Sequence, residues 1–284
     1  MKFYTSVLPY RGRLLVRGVD KDGAQKKYRI NYKPSLFVPV GKETKYKTLD
    51  GRYVERIKFD SMPEATKWVN EYKNVTNFEY FGNTRHQYPF IADEFKGKID
   101  WDMNQIKLLT IDIECESENG FPSPEKADQP LICITVKDHT TKRIIVFGMG
   151  NFVNDRDDVQ YINCVTETGL VETFTKFWVE YNPDIITGWN VKFFDIPYLM
   201  NRFRYLMGDE WLNQFSPWGI VEQKSASVLF ASREQQVWNI MGVDTLDYLD
   251  LYRKFTFVRR ESYKLDYIGE VELGQNKLDN PYDT

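Results

Sequence analysis

Histidine is nearly absent from this chain: His86 and His139 are the only two in 284 residues. Cysteine is almost as scarce, with Cys115, Cys133 and Cys164 widely spaced and no CxxC pair among them. A zinc site needs clustered Cys and His ligands, and a disulfide framework needs paired cysteines at short spacing, so neither is expected. The isolated thiols fit a reducing cytoplasm. No stretch approaches the ~20 consecutive apolar residues of a membrane-spanning helix. The opening Met1-Lys-Phe-Tyr-Thr-Ser holds no apolar run of the signal-peptide kind. No membrane partner is therefore expected. Low-complexity tracts and internal repeats are missing as well.

What the chain does have is enough length for two domains and a hydrophobic fraction of 42%, ordinary for a globular protein. Aromatics reach 15%, which suits either thick cores or base stacking. The net charge of −3 hides an asymmetry. Residues 1–100 carry 20 Lys/Arg against 12 Asp/Glu, and the remainder carries 18 against 29. A basic first third suits contact with a polyanion, and an acidic remainder suits either cation binding or a solvated surface.

Along the chain, residues 1–104 read as a small, mostly β domain. Arg13–Val19 is a strand, Lys21-Asp-Gly a tight turn, and Asn31–Val40, with two prolines, an edge segment at best. Ser61 opens a helix, with Glu64 completing a capping box. Residues 105–284 read as a second domain of α/β class. Ile106–Glu114, Leu131–Val136 and Arg143–Phe147 are strands, followed by an amphipathic helix over Glu167–Tyr181 that Pro183 stops. Asp184–Thr187 is a short buried strand, Phe194–Met207 a second helix ended by Gly208, and Val237–Met241 a strand. Asp244–Tyr252 and Ser262–Glu270 read as helices. Three strands followed by alternating helix and strand predict a mixed sheet covered by helices.

Two segments carry chemistry. In Leu108-Leu-Thr-Ile-Asp-Ile-Glu, side chains on a strand alternate between faces, so Asp112 and Glu114 share one face while Ile111 and Ile113 take the other. Two carboxylates crowded on an apolar strand repel each other and call for a cation; the bland alternative is a solvated edge strand. In Asp184-Ile-Ile-Thr-Gly-Trp-Asn190-Val-Lys-Phe-Phe194-Asp195-Ile-Pro197, a buried strand runs through a Gly-containing turn into a helix whose first turn holds Asp195. Asp195 also reads as an N-cap and Asn190 as a turn residue. Yet strand ends beside helix starts are where α/β sheets place ligands, and a carboxylate has lone pairs for both tasks.

Asp-Ile-Glu on a strand, then Asn-x-x-x-Phe-Asp some eighty residues later, resembles the first two exonuclease motifs of family B DNA polymerases. Thr187-Gly-Trp-Asn190, Phe194-Asp-x-Pro-Tyr-x-Met-Asn-Arg202, Phe215-Ser-Pro217, Leu246–Phe255 and Ser262–Ile268 extend the resemblance to the branch found in T-even-type bacteriophages. The resemblance implies an RNase H-like exonuclease domain after an N-terminal domain, within a chain that goes on to polymerise DNA. It implies that Asp112, Glu114 and Asp195 hold two Mg²⁺ ions, with Mn²⁺ as the alternative. Carboxylates rather than His or Cys are the ligands expected for such a hard cation.

The resemblance further implies that Phe121, in a Phe-Pro-x-Pro loop, lies with Asn190 and Phe194 against a frayed single-stranded 3′ end. It places Lys254, Arg259 and Arg260 on a hairpin reaching the primer–template junction. Asp247 and Asp250, three apart, are expected to be surface or structural residues on one helix face. The expected partners are primer–template DNA, the rest of a polymerase chain, a sliding clamp and RNA, in the cytoplasm of an infected bacterial host. The family's third motif, Tyr-x-x-x-Asp, follows the second, and none of Tyr248, Tyr252, Tyr263 and Tyr267 is followed by Asp four residues later, so weak or no trimming activity is expected of the chain as it stands. A free-standing exonuclease and a non-catalytic nucleic-acid-binding module remain the alternatives.

Overall fold

The loosely alternating segments near the N-terminus form two small antiparallel sheets. In this computed structural model, which describes residues 1–118, 120–227 and 234–277, the chain divides into two units, Met1–Ile106 and Lys107–Thr284. In the first, β1 (Phe3–Tyr10), β2 (Arg13–Val19) and β3 (Gln25–Ile30) form one sheet with β2 central and buried from Leu14 to Val19. The strands β4 (Ser35–Pro39), β5 (Tyr46–Lys47) and β6 (Tyr53–Lys58) form the other. The proline-containing β4 does lie on an edge of its sheet, its outer side meeting only an isolated bridge between Phe37 and Phe81. Helix α1 (Met62–Tyr72) begins at Ser61, whose Oγ accepts the Glu64 N–H at 3.3 Å. The Glu64 carboxylate reaches back to the N–H of Asp60 at 2.7 Å, one residue earlier than a standard capping box. Helix α2 (Gln87–Glu94) completes the unit.

The second unit is built, among the described residues, on a six-stranded mixed sheet. Its elements in chain order are β7 (Leu108–Cys115), β8 (Leu131–Asp138), β9 (Ile144–Gly148), β10 (Val159–Asn163), α3 (Glu167–Tyr181), β11 (Ile185–Gly188), α4 (Asp195–Met207) and the short α5 (Asp209–Leu212). They are followed by β12 (Val221–Ser227), β13 (Glu234–Ile240), β14 (Asp244–Asp247), α6 (Tyr248–Phe255) and α7 (Leu265–Leu273). The sheet order is β10-β9-β8-β7-β11-β14, with β7, β8 and β9 antiparallel and β11 and β14 parallel to β7.

Helices α3 and α4 present the apolar stripes their spacing predicts. Leu170, Phe174 and Trp178 of α3 and Ile196, Leu199, Met200 and Phe203 of α4 are buried in one core with Leu109, Ile111 and Ile113 of β7. Phe177, Tyr181 and Met207 pack against its margin. Phe174 is a hub, with the rings of Phe147, Trp178, Phe203 and Phe215 at 5.5–6.2 Å. Helix α3 ends at Asn182 in the left-handed conformation (φ 52°), just before Pro183.

Four sequence expectations need correction. Asp244–Tyr252 is not one helix: Asp244–Asp247 is an edge strand, and the helix starts only at Tyr248, because Asp247 caps it by accepting the Leu249 N–H at 2.9 Å. Asp247 and Asp250 therefore do not share a helix face. Ser262 does not start its helix either; its Oγ accepts the Lys264 N–H and α7 opens at Leu265. Arg253–Ser262, expected as a hairpin, holds no strand: it begins in the last turn of α6 and continues without regular structure, and among the described residues the two-stranded ribbon of this unit is β12–β13.

Gly188, read from sequence as part of a turn, is instead the last residue of β11, packed hard against β7. A Cβ built there would lie 2.7 Å from the Ile111 carbonyl oxygen and 3.1 Å from the Val191 side chain. The first obstacle is backbone and cannot step aside by changing rotamer. Gly188→Ala is expected to cost about 1–3 kcal/mol of stability, read as a lower midpoint in urea unfolding; an unchanged midpoint would show that β11 can shift freely.

Candidate active site

The site grows from a break in strand pairing. Strand β11 accompanies β7 only from Leu108 to Thr110. Past that point the edge of β7 facing β11 has lost its strand partner, and buried backbone donors must find another. The N–H of Ile113 faces the carboxylate of Asp195 and favours its ionised form against burial. Since Ile113 lies between Asp112 and Glu114, this approach brings the second acidic motif up to the first.

The strand alternation is as read. Ile111 and Ile113 are buried, while Asp112 and Glu114 are exposed on the opposite face of the strand. Across β8 they are opposite Thr135 and Cys133. The ladder shifts register between Glu114 and Cys115, and such irregularities re-aim side chains next to functional sites.

Asp195 is not the N-cap of its helix. It is the first helical residue, and Phe194 occupies the cap position without a capping side chain. The carboxylate is thus free of that duty and points back at β7. It is 5% exposed, and burial, reinforced by the negative charges of Asp112 and Asp247, pushes its pKa up to about 8. Burial also raises the Asp112 carboxyl. Glu114 is raised by burial and then by its neighbour Asp112.

Lys277, which sequence reasoning did not single out, lies close enough to pull both Asp112 and Glu114 back down. Its backbone N–H is held by Asp266 Oδ1 at 2.7 Å. No motif spacing would have found it. The neighbouring thiols stay protonated, since burial pushes Cys115 up to about 12 and raises Cys133. The donors left to a cation are oxygens.

Among the described residues no group of three or more His, Cys, Asp or Glu side chains is gathered as a ready-made ion cage. The three carboxylates are coupled pairwise instead, Asp195 to Asp112 and Asp112 to Glu114. One buried and two exposed carboxylates, all with raised pKa values and with no thiolate or imidazole to offer, fit a hard divalent cation better than any other group.

The loop entering α4 is shaped by the buried Asp247. Its Oδ1 accepts the Asn190 N–H at 3.1 Å and its Oδ2 the Lys192 N–H at 3.0 Å. Asn190 sits in the left-handed region (φ 62°), which asparagine tolerates better than most residues. Asp247 is thus structural, but at the site rather than on a surface.

Beyond the carboxylates lies a cleft of about 1320 Å³, lined by Phe121, Asn190, Phe194, Arg259 and Lys277 among others. The rings of Phe121 and Phe194 are 5.5 Å apart. The other two expected DNA contacts do not line this cleft. Lys254 lies over the ring of Phe255, and Arg260 is ion-paired with Glu272.

A family model described as DNA polymerase family B, exonuclease domain, matches residues 64–268. The chain belongs to this family. The branch indicated by its motifs also stands: it is 31% identical over 98% of its length to the DNA-directed DNA polymerase of Escherichia phage RB69, and 29% identical over 99% to that of Enterobacteria phage T4. It covers 33% and 34% of those two chains, about a third of the length of the curated relatives it matches. The DNA polymerase delta catalytic subunit of Candida albicans is 31% identical over 62% of this chain and is covered for 18% of its own length. The mixed sheet, with three antiparallel strands leading and helices following, is the RNase H-like arrangement expected of this exonuclease family.

The raised pKa of Asp195 has a measurable consequence in cation-free buffer. The folded value lies above the 3.8 of an ordinary aspartate, so the folded state binds this proton more tightly than the unfolded one. The residue therefore opposes folding increasingly as pH climbs from about 4 to 8. Asp195→Asn keeps an acceptor for the Ile113 N–H and removes the charge. In EDTA its melting temperature should exceed that of the wild type by a margin that widens from pH 5 to pH 8, worth on the order of a few kcal/mol at the upper end. A margin that does not change with pH would contradict the assignment.

Proposed function

We propose that the second unit is a two-metal 3′→5′ exonuclease that proofreads for a longer DNA polymerase, with Asp112, Glu114 and Asp195 as its carboxylate ligands. The observation that carries this reading is the approach of the buried Asp195 carboxylate, at the start of α4, to Asp112 and the Ile113 backbone, which brings the acidic side chains of two distant motifs to one stretch of β7. When bound, a pair of divalent ions supplies an activated water and a stabilised leaving oxygen for phosphodiester hydrolysis. Asp112 and Glu114 offer ligand oxygens from the strand, and Asp195 offers them from the helix start.

Phe121 and Phe194 offer ring faces on which any base can stack, so the cleft suits a single-stranded 3′ terminus irrespective of sequence. Arg259 and Lys277 place positive charge along the same cleft for the phosphates. Mg²⁺ is the favoured ion, with Mn²⁺ able to replace it. In the longer polymerase this unit would excise misinserted nucleotides from primed DNA in the cytoplasm of an infected bacterium.

Titration of Mg²⁺ and Mn²⁺ into metal-free protein by calorimetry tests the ligand assignment. The wild type should bind, and Asp112→Ala and Asp195→Ala should each lose at least about tenfold in affinity. Equal binding by the wild type and both variants would overturn the ligand set. Single-stranded DNA binding that responds to salt but not to divalent ions would favour a non-catalytic binding module instead.

A further inference from the structure

Helix α4 does more than present Asp195. One turn further on, Tyr198, Asn201 and Arg202 fall three and four residues apart and so share a face. All three donate to backbone carbonyls of the irregular loop that leaves β7. The Tyr198 hydroxyl donates to the Gln129 carbonyl at 2.6 Å, Asn201 Nδ2 to the Pro124 carbonyl at 2.7 Å, and Arg202 Nη1 to the Ala127 carbonyl at 3.1 Å. Gln129 in turn donates to the Gly120 carbonyl at 3.0 Å.

Arg202 is itself fixed by a two-pronged ion pair to Glu167, both contacts 2.7 Å, and Glu167 also accepts the Leu131 N–H at 2.8 Å. The held loop is strained: Ala127, fully buried, sits in the left-handed region at φ 45°. Out of this tightly held backbone projects Phe121, 85% exposed, with the Phe194 ring as its aromatic neighbour.

A loop needed only to connect β7 to β8 has no use for a buried ion pair, three converging donors and a strained alanine, because a buried charge pair repays its desolvation poorly as a source of stability. What the arrangement does achieve is to fix the backbone on either side of a large exposed ring. We propose that Tyr198, Asn201 and Arg202 are positioning residues. They hold the Phe121 loop so that Phe121 and Phe194 together grip the terminal base of a single-stranded DNA 3′ end. The inference rests on the proposed nuclease reading for its ligand, but it concerns a separate part of the unit from the carboxylates. It also places the proposed metal ligand and the supports of the base grip on consecutive turns of one helix.

The experiment compares two single-stranded oligonucleotides in EDTA, one ending in a fluorescent 2-aminopurine and the other in an abasic residue. Wild-type protein should bind the base-terminated strand about tenfold more tightly, the scale of one base stacked on an aromatic ring. Asn201→Ala should shrink that preference to about twofold while leaving affinity for the abasic strand unchanged. Arg202→Lys keeps a charge for Glu167 but loses the fixed fork that reaches Ala127. It should act in the same direction and serves where Asn201→Ala does not fold. Phe121→Ala should abolish the preference, and adding Asn201→Ala to it should change nothing further.

If Asn201→Ala and Arg202→Lys keep the full preference, or weaken both strands equally, the positioning role is wrong and the nuclease reading is untouched. If the wild type itself shows no preference for a terminal base, the stacking part of the functional reading fails and the grip fails with it.

Discussion

Everything distinctive about the second unit depends on where β11 stops. Had it run alongside β7 to Cys115, its backbone would have satisfied the Ile113 N–H and filled the edge of the strand from which α4 now starts. Because pairing ends at Thr110, a helix can start in the vacated space and its first residue can turn a carboxylate toward Ile113. The same constraint explains Gly188. The strand must leave β7 at a point of backbone contact too tight for any side chain, and only glycine has none. The chain then turns through a left-handed Asn190 whose N–H is caught by Asp247. Each step is a local solution to a backbone donor left without a partner.

Electrostatics run against folding at this point. Three carboxylates repel one another pairwise, Asp195 against Asp112 and Asp112 against Glu114, and desolvation raises the pKa of each, while Lys277 relieves two of them only in part. A site designed for stability would neutralise such charges by hydrogen bonds from all sides. Asp247 shows what that looks like, with three backbone N–H groups on one carboxylate. Asp195 has far less, although it is nearly as deeply buried. The contrast separates a carboxylate that organises a loop from carboxylates kept short of counter-charge, and the latter is the condition in which a divalent ion binds most favourably.

Much of this was legible in the sequence, and for identifiable reasons. The helix over Glu167–Tyr181 carries a strong 3.6-residue stripe and good ends, so its limits could be read directly. Asp112 and Glu114 were placed on one face by the two-residue period of a strand, which needs no tertiary information. Asp195 could be located at a helix start but not aimed, because its short side chain suits capping and ligand binding equally well. Strand β14 was read as helix since Leu246-Asp-Tyr-Leu-Asp-Leu-Tyr keeps an apolar helical period throughout, and pairing with β11 overrides that pattern for the first four residues. Lys277 and Arg202 were not legible as site residues at all. Nothing in their neighbours' sequence indicates that one would lie near Asp112 and the other would grip a loop seventy-five residues away.

The two tasks of α4 set a limit on how this unit can vary. A rotation of the helix by one residue, about 100° around its axis, would turn Asp195 away from Ile113 and at the same stroke pull Tyr198, Asn201 and Arg202 off the carbonyls they hold. The opposite face carries Ile196, Leu199, Met200 and Phe203 into the core, so packing fixes the rotation that both tasks require. Changes to that core should therefore be felt at the carboxylates and at the Phe121 loop together. The core of this unit thus acts less as a reserve of stability than as the gauge that keeps a charge cluster and an aromatic pair in register.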